Sequence, residues 1–391
     1  MVWIISELFY PDEVSTAQIL TDVAKKIAKD GKVSVLAGPI GYEKSYHTNN
    51  FTLDVDIKIH RVNLPKFDKN NLIQRVLKLL LLTIKMSLFI LFNVKKGDRV
   101  IQVTNPIFLV LTISLIKKLR GFRLEILVHD VYPENLVPAG LVVKNSLKFK
   151  FISKFFNYSF KQADRLIVLG EDMKQLMVVK TENKVKRVDV IPNWADDDIQ
   201  PIVNFDKSHY LNMDVDGKIV IGFAGNLGRV QGIVEFINIF KKAKNQNLIL
   251  TIIGDGAMKK EISDLISREN INNVYLLGSK PRNEQLKFLN SCDIGLVALK
   301  KGMKGLGVPS KTYNLMASGK PILFLGDVDS EIDNYIQKYN CGWSFDWHEE
   351  KMIHFFNKLT IDDQMEVSTK GINSFNISNR LFLKEILLDK F

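Results

Sequence analysis

Short apolar segments that alternate with helical stretches constrain the fold of this 391-residue chain more than any other feature. In each half of the chain, β-branched or apolar runs of four to seven residues are separated by ten or more residues with a helical pattern. This alternation is typical of a parallel sheet that is covered by helices on both faces. The predicted strands are 2–6, 33–37, 99–103, 123–129 and 165–169, then 218–224, 248–253, 274–277, 294–298 and 321–325.

The two sets of strands are separated by a polar segment that lacks hydrophobic periodicity. It begins with Ile191-Pro192-Asn193-Trp194, continues with three aspartates at 196–198 and extends to Asp216. A proline followed by an acidic cluster is typical of a linker, and 391 residues are too many for one ordinary core. We therefore predict an α/β chain of two doubly wound domains joined near residue 195, with ligands bound beyond the carboxyl ends of the strands.

Composition narrows the class of protein. The chain has two cysteines, Cys292 and Cys341, and six scattered histidines, so neither a disulfide framework nor a Cys/His metal cluster is expected. The apolar start at residues 1–5 meets Glu7 at once and has no basic residue before it, unlike a signal peptide. We expect a cytoplasmic protein.

Paired aspartates are the remaining candidates for a metal site. A pair separated by one residue can hold the divalent cation of a nucleotide diphosphate. Four such pairs in unrelated contexts instead indicate solvated loops, so we predict no metal and no cofactor. The pairs are Asp54 and Asp56, Asp196 and Asp198, Asp214 and Asp216, and Asp327 and Asp329.

Two glycine-rich turns in the second half predict a site for an anion, most simply a phosphate. The segment 304–307 exposes backbone N–H groups and leads into a short apolar helix with Lys311 in its first turn. A tight strand-to-helix connection with a solvated lysine would have the same sequence. The segment 222–229 follows a strand and lets a backbone approach a phosphate, with Arg229 adding a forked contact. Its glycine spacing does not match the dinucleotide fingerprint, so a dehydrogenase is not indicated.

Polar residues also follow two predicted strands of the first half. His129 and Asp130 end the strand at 123–129, in a position where a substrate would lie, although capping roles are common for such residues. After the first strand, Ser15 and Thr16 open a predicted helix that runs to Gly31, and either hydroxyl is a candidate N-cap.

A basic and strongly apolar segment at 71–94 predicts an amphipathic helix. The net charge of +11 is concentrated in residues 51–150, which hold 17 Lys and Arg against 7 Asp and Glu. Arg75, Lys78 and Lys85 fall within roughly 80° of helical arc. The longest uncharged stretch is nine residues, against roughly 20 for a spanning helix. The helix can lie among anionic headgroups or be a core helix with a snorkelling rim. Further lysines favour the membrane: Lys144, Lys148, Lys150 and Lys154.

Glycine-containing motifs follow one another in a fixed order along the second half: Gly225-Asn226-Leu227-Gly228-Arg229-Val230-Gln231-Gly232, Ile253-Gly254-Asp255-Gly256, Gly305-Leu306-Gly307-Val308-Pro309 and Met316-Ala317-Ser318-Gly319-Lys320-Pro321. With this order the chain resembles the retaining glycosyltransferases of family 4 over essentially its whole length. Three further motifs are similar to a branch that builds bacterial O-antigen and capsule and includes N-acetyl-fucosamine transferases. They are Tyr132-Pro133-Glu134, Ile191-Pro192-Asn193-Trp194 and Pro309-Ser310-Lys311-x-Tyr313.

The resemblance implies the GT-B fold, in which two Rossmann-like domains face each other across a cleft. It implies an acceptor domain at 1–195, a nucleotide-sugar domain at 196–374 and a C-terminal helix at 375–391 that packs back on the first domain. The implied donor is a nucleotide sugar, with UDP as the expected nucleotide and an N-acetylated deoxyhexosamine such as N-acetyl-fucosamine as the expected sugar. The implied acceptor is a polyprenyl-diphosphate-linked saccharide at the inner face of the cytoplasmic membrane.

The resemblance also assigns roles to individual residues. Lys311 would hold the diphosphate, Asn314 would face the ribose, and the loop at 278–282 would lie beside the base. The catalytic residues would be His129, Asp130 and Lys311. The acceptor side would include Glu13, Ser15, Thr16 and Glu134. Membrane contacts through Arg75, Lys78 and Lys85 are predicted from the charge pattern of the segment 71–94 and not from the resemblance. The donor-binding residues would be Gly225, Asn226, Arg229, Gly278, Lys304, Gly305, Leu306, Gly307, Ser310 and Asn314, with Gly305–Gly307 offering backbone N–H groups to the donor sugar and β-phosphate.

The chain departs from the family pattern at four positions. Lys304 and Asn314 stand where the family commonly has acids, and Asn226 and Gln231 stand where it commonly has arginine and lysine. Arg229 and Lys311 would then hold more of the phosphate charge. In the front-face mechanism usually described for this family, the leaving diphosphate accepts the acceptor's proton, so no enzymic base is needed.

Two other classes are kept as alternatives. A GT-B-shaped sugar-nucleotide epimerase would have a similar nucleotide pocket but needs acid and base carboxylates. A basic nucleic-acid-binding protein would explain the positive charge, yet the sequence has no interleaved basic and aromatic pattern. We therefore expect no nucleic-acid partner.

Overall fold

The structure is a computed structural model that describes residues 1–41, 56–65, 67 and 71–391. Asp54, one of the paired aspartates, lies outside the described residues. The chain divides into two compact units. Unit 1 comprises Met1–Pro192, Gly305–Gly307 and Glu385–Phe391, and unit 2 comprises Asn193–Lys304 and Val308–Lys384. The first boundary falls close to the predicted one at 195. Residues 375–384 differ from the expectation, because they belong to unit 2 and only the last seven residues belong to unit 1.

Unit 1 is built on a parallel sheet that has seven strands within the described residues, in the order β3-β2-β1-β4-β5-β6-β7. The order reverses between β1 and β4, which is where ligands bind in open sheets of this type. The strands of the sheet centre are almost wholly buried, as expected when helices cover both faces. The strands are β1 (Val2–Ser6), β2 (Val33–Ala37), β3 (Ile57–Arg61), β4 (Arg99–Val103), β5 (Arg123–Val128), β6 (Arg165–Val168) and β7 (Val188–Val190).

The helices of unit 1 are α1 (Ser15–Ala28), α2 (Leu72–Asn93), α3 (Leu109–Arg120), α4 (Leu147–Phe160) and α5 (Glu171–Lys180). The bounds of α2 match the predicted segment, because the Asn71 side chain caps the helix by accepting from Ile73 N at 3.0 Å and Gln74 N at 3.2 Å. The capping role considered for Ser15 and Thr16 is wrong. Val14 occupies the N-cap position of α1, which leaves both hydroxyls inside the first turn.

Unit 2 repeats the architecture with a parallel sheet in the order β10-β9-β8-β11-β12-β13. Its strands are β8 (Ile219–Ala224), β9 (Leu248–Ile253), β10 (Val274–Gly278), β11 (Ile294–Ala298), β12 (Ile322–Leu325) and β13 (Gly342–Phe345). Its helices are α6 (Lys207–Leu211), α7 (Ile233–Phe240), α8 (Lys259–Arg268), α9 (Gln285–Asn290), α10 (Lys311–Ala317), α11 (Glu331–Tyr339), α12 (Glu349–Lys358) and α13 (Gln364–Leu381); α14 (Lys384–Leu388) follows at the unit boundary.

Aromatic contacts explain why residues 375–384 stay with unit 2. The helix α13 packs against α10, and the Phe382 ring lies 4.9 Å from the Tyr313 ring and 5.2 Å from the Tyr335 ring, both edge-on. Such pairs stabilise a contact beyond the area they bury. The chain is therefore anchored to unit 2 until it reaches Lys384.

The two parallel sheets confirm the predicted fold class of paired Rossmann-like domains. Three strands of the structure were absent from the prediction: β3, β7 and β13. Each lies at the edge of its sheet and is only partly buried. Edge strands keep polar residues such as Lys58 and Asp189, so the continuous apolar run that marks a buried strand is missing.

The helix α2 is unusual because it is apolar on both its inner and its outer face. Within the described part of the chain it is the one helix long and apolar enough to cross a membrane, with a mean hydropathy of 1.9 over Ile73–Asn93. Its inner face, however, is packed in the core through Leu82, Met86 and Ile90. The helix α2 therefore packs on the sheet of unit 1 and exposes its own outer face. That outer face carries Ile73, Val76, Leu77, Leu80, Leu81, Ile84, Leu88 and Phe92.

Candidate active site

The glycine-rich loop after β8 is held in unit 2 by backbone contacts. Gly225 N donates to Ile253 O at 2.9 Å, and Leu227 N donates to Asp255 O at 2.8 Å. A Cβ on Gly254, where φ is +155°, would lie 1.9 Å from Gly225 O. The loop at 225–232 therefore rests directly on the turn after β9, and that turn requires glycine.

Lys311, the first residue of α10, places an ammonium beside this loop. Its Nζ is buried and has no hydrogen-bond acceptor among the described residues. It lies 3.4 Å from the centroid of the Phe223 ring and 3.7 Å from the position that a Cβ on Gly225 would occupy. Because burial disfavours the charged form, the pKa of Lys311 is lowered to about 7. The ammonium retains its N–H donors for a ligand.

Neutral amides occupy the same region. Gln231 Oε1 is buried without a partner among the residues that the structure describes, and it lies 2.6 Å from the position of a Cβ on Gly228. Asn226 Nδ2 lies 3.2 Å from that position, whereas Arg229 is exposed. The buried positive charge near this loop therefore comes from Lys311, and the polar atoms around Gly228 have capacity for further hydrogen bonds.

The amide of Asn314, predicted to face a ribose, is bonded to the linker. Its Oδ1 accepts from Asp196 N at 2.9 Å, and its Nδ2 donates to Asp196 Oδ2 at 3.0 Å. Arg282 Nη2 donates to the same carboxylate oxygen at 2.7 Å. A carboxylate thus lies beside position 314 although the residue there is neutral. The linker aspartate joins α10 to the segment after β10, and sequence reasoning missed this role because Asp196 stands in an acidic run that looks solvated.

Three other predicted donor residues occupy separate places in unit 2. Gly278 ends β10 with φ +72° and accepts from Gly254 N at 2.9 Å. Lys304 N donates to Asp327 Oδ2 at 2.8 Å, and the Lys304 ammonium lies 3.6 Å from the Asp329 carboxylate. Ser310 precedes α10 without a side-chain capping bond. The Lys304 ammonium therefore pairs with Asp329 of its own unit.

His129 and Asp130 lie just beyond the carboxyl end of β5 in unit 1. Both backbone N–H groups donate to Thr104 Oγ1 at 3.2 Å, which fixes the turn. His129 Nδ1 lies 3.4 Å from Thr16 Oγ1, and Nε2 is buried without a partner among the described residues. Burial lowers the pKa of His129 to about 4, so the ring is neutral at pH 7. Burial also raises the pKa of Asp130 to about 6, opposed by a hydrogen bond from Asn135.

The segment Gly305–Gly307 belongs to unit 1, although the residues on either side belong to unit 2. Gly305 N donates to Asp172 Oδ2 at 3.0 Å, and Val131 N donates to Leu306 O at 3.0 Å. The N–H of Gly305 is therefore already bonded to a carboxylate, unlike the open donor that was expected. Among the described residues no acceptor lies against the N–H groups of Leu306 and Gly307.

The residues expected on the acceptor side do not form one cluster. Thr16 contacts His129, as described above, while Ser15 occupies the first turn of α1 and Glu13 is exposed before it. Glu134 is bound at 2.7 and 2.8 Å by the ammonium of Lys180, which is almost fully buried. That ion pair joins the turn after β5 to α5, which favours a structural function for Glu134.

The cations expected at a membrane are partly engaged within unit 1. Lys78 Nζ lies 3.0 Å from the Glu7 carboxylate, and Lys85 Nζ donates to Asn63 O at 2.7 Å. Arg75 is exposed. The prediction of membrane contact through these three cations therefore applies mainly to Arg75. The prediction assigned the contacts to cations bordered by apolar surface, and the structure shows which apolar side chains of α2 are exposed.

The described residues contain no group of three or more His, Cys, Asp or Glu side chains placed to hold a metal ion. Metal independence stays a prediction. The buried positive charge beside the glycine loop in unit 2 matches a site that neutralises a phosphate with a side-chain cation.

Two parallel Rossmann-like sheets and a buried cation beside a glycine loop fit a glycosyltransferase of the GT-B class. A sequence model of the family described as "Glycosyl transferases group 1" matches residues 212–366. The chain is 36% identical over 281 residues to "Probable glycosyltransferase WbjE" of Pseudomonas aeruginosa, an alignment that covers 72% of this chain and 70% of that protein. The chain therefore belongs to the group 1 glycosyltransferases, which decides against the epimerase and nucleic-acid-binding alternatives.

Solved structures agree with the fold. WaaG, a glycosyltransferase involved in lipopolysaccharide biosynthesis, matches with a TM-score of 0.70 at 13% identity, covering 100% of this chain and 99% of that one. Anabaena Alr3699/HepE in complex with UDP matches with a TM-score of 0.69 at 14% identity, covering 100% of this chain and 97% of that one. At these identities the likeness establishes the GT-B fold.

Proposed function

We propose that this glycosyltransferase moves a sugar, with retention of configuration, from a UDP-sugar to a lipid-linked saccharide during synthesis of a bacterial surface polysaccharide. The proposal is supported by the relationship to WbjE, by the UDP held in the HepE structure and by the role of WaaG in lipopolysaccharide synthesis. The motifs similar to the O-antigen and capsule branch favour an N-acetylated deoxyhexosamine such as N-acetyl-fucosamine as the sugar. The main support for the donor site is the buried ammonium of Lys311, which contacts the Phe223 ring but has no hydrogen-bond acceptor among the described residues.

A buried ammonium that contacts a ring but has no hydrogen-bond acceptor is only partly stabilised until a ligand supplies an acceptor. Transfer of a charged group out of water without a partner costs several kcal/mol or shifts its pKa, and the pKa of Lys311 is lowered accordingly. A diphosphate beside Nζ would supply the missing acceptors and would restore the charged form of the amine. The site is therefore organised for an anion, and the donor diphosphate is the anion that this family uses.

The chemical step then depends on charge stabilisation. The bond between the anomeric carbon and the diphosphate oxygen breaks, the acceptor oxygen bonds to the same face of that carbon, and the acceptor's proton passes to the leaving diphosphate. Negative charge grows on the β-phosphate as the bond breaks, and a fixed ammonium stabilises it most in the transition state. His129, neutral at pH 7 because burial lowers its pKa to about 4, would hydrogen-bond a sugar hydroxyl through Nε2 and would not act as a cation.

A nucleotide panel followed by product analysis tests the function. UDP should raise the thermal unfolding temperature more than GDP or ADP does, because only the matching nucleotide uses both base and phosphate contacts. With a UDP-sugar and a lipid-linked acceptor, NMR of the product should show the anomeric configuration of the donor. No stabilisation by any of the three nucleotides, or an inverted product, would contradict the proposal.

Access to a lipid-linked acceptor is explained by a surface on unit 1 formed by α2, α3 and α4, here called the three-helix surface. The crossovers through these helices all run in one direction along the sheet, which places them on the same face, and α3 packs against both neighbours. The surface adds Leu115, Leu119, Leu147, Phe151 and Phe155 to the outer face of α2. Lys148, Lys150 and Lys154 are exposed beside it. Apolar side chains bordered by lysines suit an anionic lipid surface.

Vesicle flotation tests this surface. Replacing Ile84 and Leu88, 54% and 50% exposed, by glutamate should lower binding to phosphatidylglycerol vesicles by about tenfold or more, since each buried aliphatic side chain stabilises by roughly 1.5–3 kcal/mol. Replacing Arg75, Lys78 and Lys85 by glutamine should have a smaller effect, because two of them are engaged within unit 1. Met365→Glu, on an exposed position of unit 2, is the control. Equal flotation of wild type and the Ile84/Leu88 variant would count against the surface.

A further inference from the structure

The carboxylate of Asp172 lies at the point where the Gly305–Gly307 segment joins unit 1. Asp172 is the second residue of α5 and is 8% exposed. Its Oδ2 accepts from Gly305 N at 3.0 Å, in a buried contact, and its Oδ1 accepts from Met173 N at 2.7 Å. Both oxygens therefore accept backbone N–H groups, and charged acceptors make the stronger bonds of this kind.

The segment fits closely against unit 1, and glycine is favoured at position 305 by its positive φ. A Cβ on Gly305, where φ is +73°, would lie 3.0 Å from Asp172 O, and a Cβ on Gly307 would lie 3.2 Å from His129 O. Between them Leu306 is buried and its carbonyl accepts from Val131 N at 3.0 Å. Hydrogen bonds at Gly305 and Leu306 thus hold the segment on the first turn of α5 and on the turn that carries His129, and Gly307 lies close to the same turn.

Two backbone donors remain open in this fixed segment. Within the part of the chain that the structure describes, no acceptor lies against Leu306 N or Gly307 N. Buried or partly buried N–H groups are nearly always bonded in folded proteins. A pair of consecutive unbonded N–H groups is the arrangement that binds an anionic or carbonyl oxygen.

We propose that Asp172 is a positioning residue for sugar transfer: by holding Gly305, it keeps the N–H groups of Leu306 and Gly307 in place for oxygens of the donor. The inference rests on the proposed function, because it takes the ligand to be a nucleotide-sugar diphosphate. Asp172 does not touch the donor itself. Its effect passes through the backbone of Gly305 to the two residues that follow.

The chemistry of the carboxylate predicts a graded series of variants. Asp172→Ala removes both acceptors and should weaken UDP binding by about tenfold, the effect of losing a well-placed hydrogen bond. Asp172→Asn keeps one oxygen but replaces the other by an NH₂ group that faces a backbone N–H group. Its loss of affinity for UDP should therefore be intermediate. Glu171→Ala changes the neighbouring exposed carboxylate, which lies 3.8 Å from Lys174, and should bind UDP as the wild type does.

Two measurements on the full chain separate positioning from general stability. Isothermal titration with UDP gives the dissociation constant, and hydrogen exchange of the peptide that contains Gly305–Gly307 reports the Gly305 contact. In Asp172→Ala, exchange at this peptide should accelerate while peptides from the core of unit 1 exchange as in the wild type.

The outcomes distinguish the inference from the function beneath it. If the wild type binds UDP and Asp172→Ala binds it with the same affinity, the inference is overturned and the proposed function stands. Weaker binding without faster exchange at Gly305–Gly307 would also overturn it, because Asp172 would then act by another route. A wild-type protein that binds none of UDP, GDP and ADP would overturn the proposed function itself.

Discussion

Replacing Lys311 by methionine is expected to lower kcat/KM for sugar transfer by about 100- to 1,000-fold, the usual loss when one preorganised donor to a developing anion is removed. Methionine keeps an unbranched apolar stem but removes the ammonium that lies over Phe223. We expect kcat to fall more than KM rises, because the charge on the leaving diphosphate is largest in the transition state. Lys301→Met, at an exposed position, is the matched control. Equal transfer by the Lys311 variant and the control would contradict the assignment.

The same substitution should make the donor-free protein more stable, and the gain should depend on pH. The folded-state pKa of Lys311 is lowered from 10.5 to about 7, so the unfolded chain binds more protons between these values. The free-energy cost of burying the Lys311 ammonium is therefore fully present below about pH 7 and disappears as the pH rises toward 10.5. In urea unfolding, the free energy of unfolding of Lys311→Met should exceed that of the wild type most at pH 6 to 7. The difference should shrink by pH 10. A difference that is constant with pH would show that Lys311 is not buried as a free amine.

Replacing Glu125 by glutamine is expected to lower the free energy of unfolding by about 1.5–3 kcal/mol, because it removes a buried carboxylate that bonds the buried Arg165 and the partly buried Arg99, although Arg165 keeps its ion pair with Asp189. Glu125 is fully buried on β5. Arg99 binds its carboxylate through two bonds of 2.8 Å, and Arg165 through one of 3.2 Å. Glu182→Gln, whose exposed carboxylate pairs with Lys184 and with Lys161 at the surface, should shift the unfolding curve much less. A similarly small effect of Glu125→Gln would contradict the network.

The Glu125 network also holds the C-terminal residues on unit 1. Arg165 Nη2 donates to Lys390 O at 2.7 Å, and Arg99 donates to Phe391 O. In Glu125→Gln, residues 385–391 should therefore become more accessible to protease than in the wild type. Burial by itself would raise the pKa of Glu125, but Arg99 and Arg165 hold it below its ordinary value. The ionised Glu125 carboxylate therefore stabilises the fold above the pKa of the unfolded chain, near 4.5. This stabilisation is lost as the pH falls below that value.

The buried architecture was predictable because burial leaves a clear sequence pattern. Buried strands such as 33–37 and 248–253 are short runs of mainly apolar residues, and their predicted bounds match the structure. The helix at 71–94 was predictable from its long apolar run, and the structure adds Asn71 as its cap. Edge strands such as β3 were missed because one side of the strand is only partly covered, so polar residues interrupt the run.

The candidate site was less predictable because its contacts join residues far apart in sequence. Lys311 was found from its local context, a glycine turn leading into a helix. The sequence holds no signal that Asp196 bonds Asn314, that Lys180 binds Glu134 or that Asp172 holds Gly305, since each pair is 46 or more residues apart. The fold brings these partners together, and their roles depend on geometry that no local pattern encodes.

A crystal structure of the protein with UDP would test the donor site most directly, through the position of the β-phosphate. We predict a β-phosphate oxygen within about 3 Å of Lys311 Nζ, at hydrogen-bond distance, next to the loop at 225–232. A nucleotide bound elsewhere, with the Lys311 ammonium still over Phe223 and without an anionic partner, would contradict the assignment of this site.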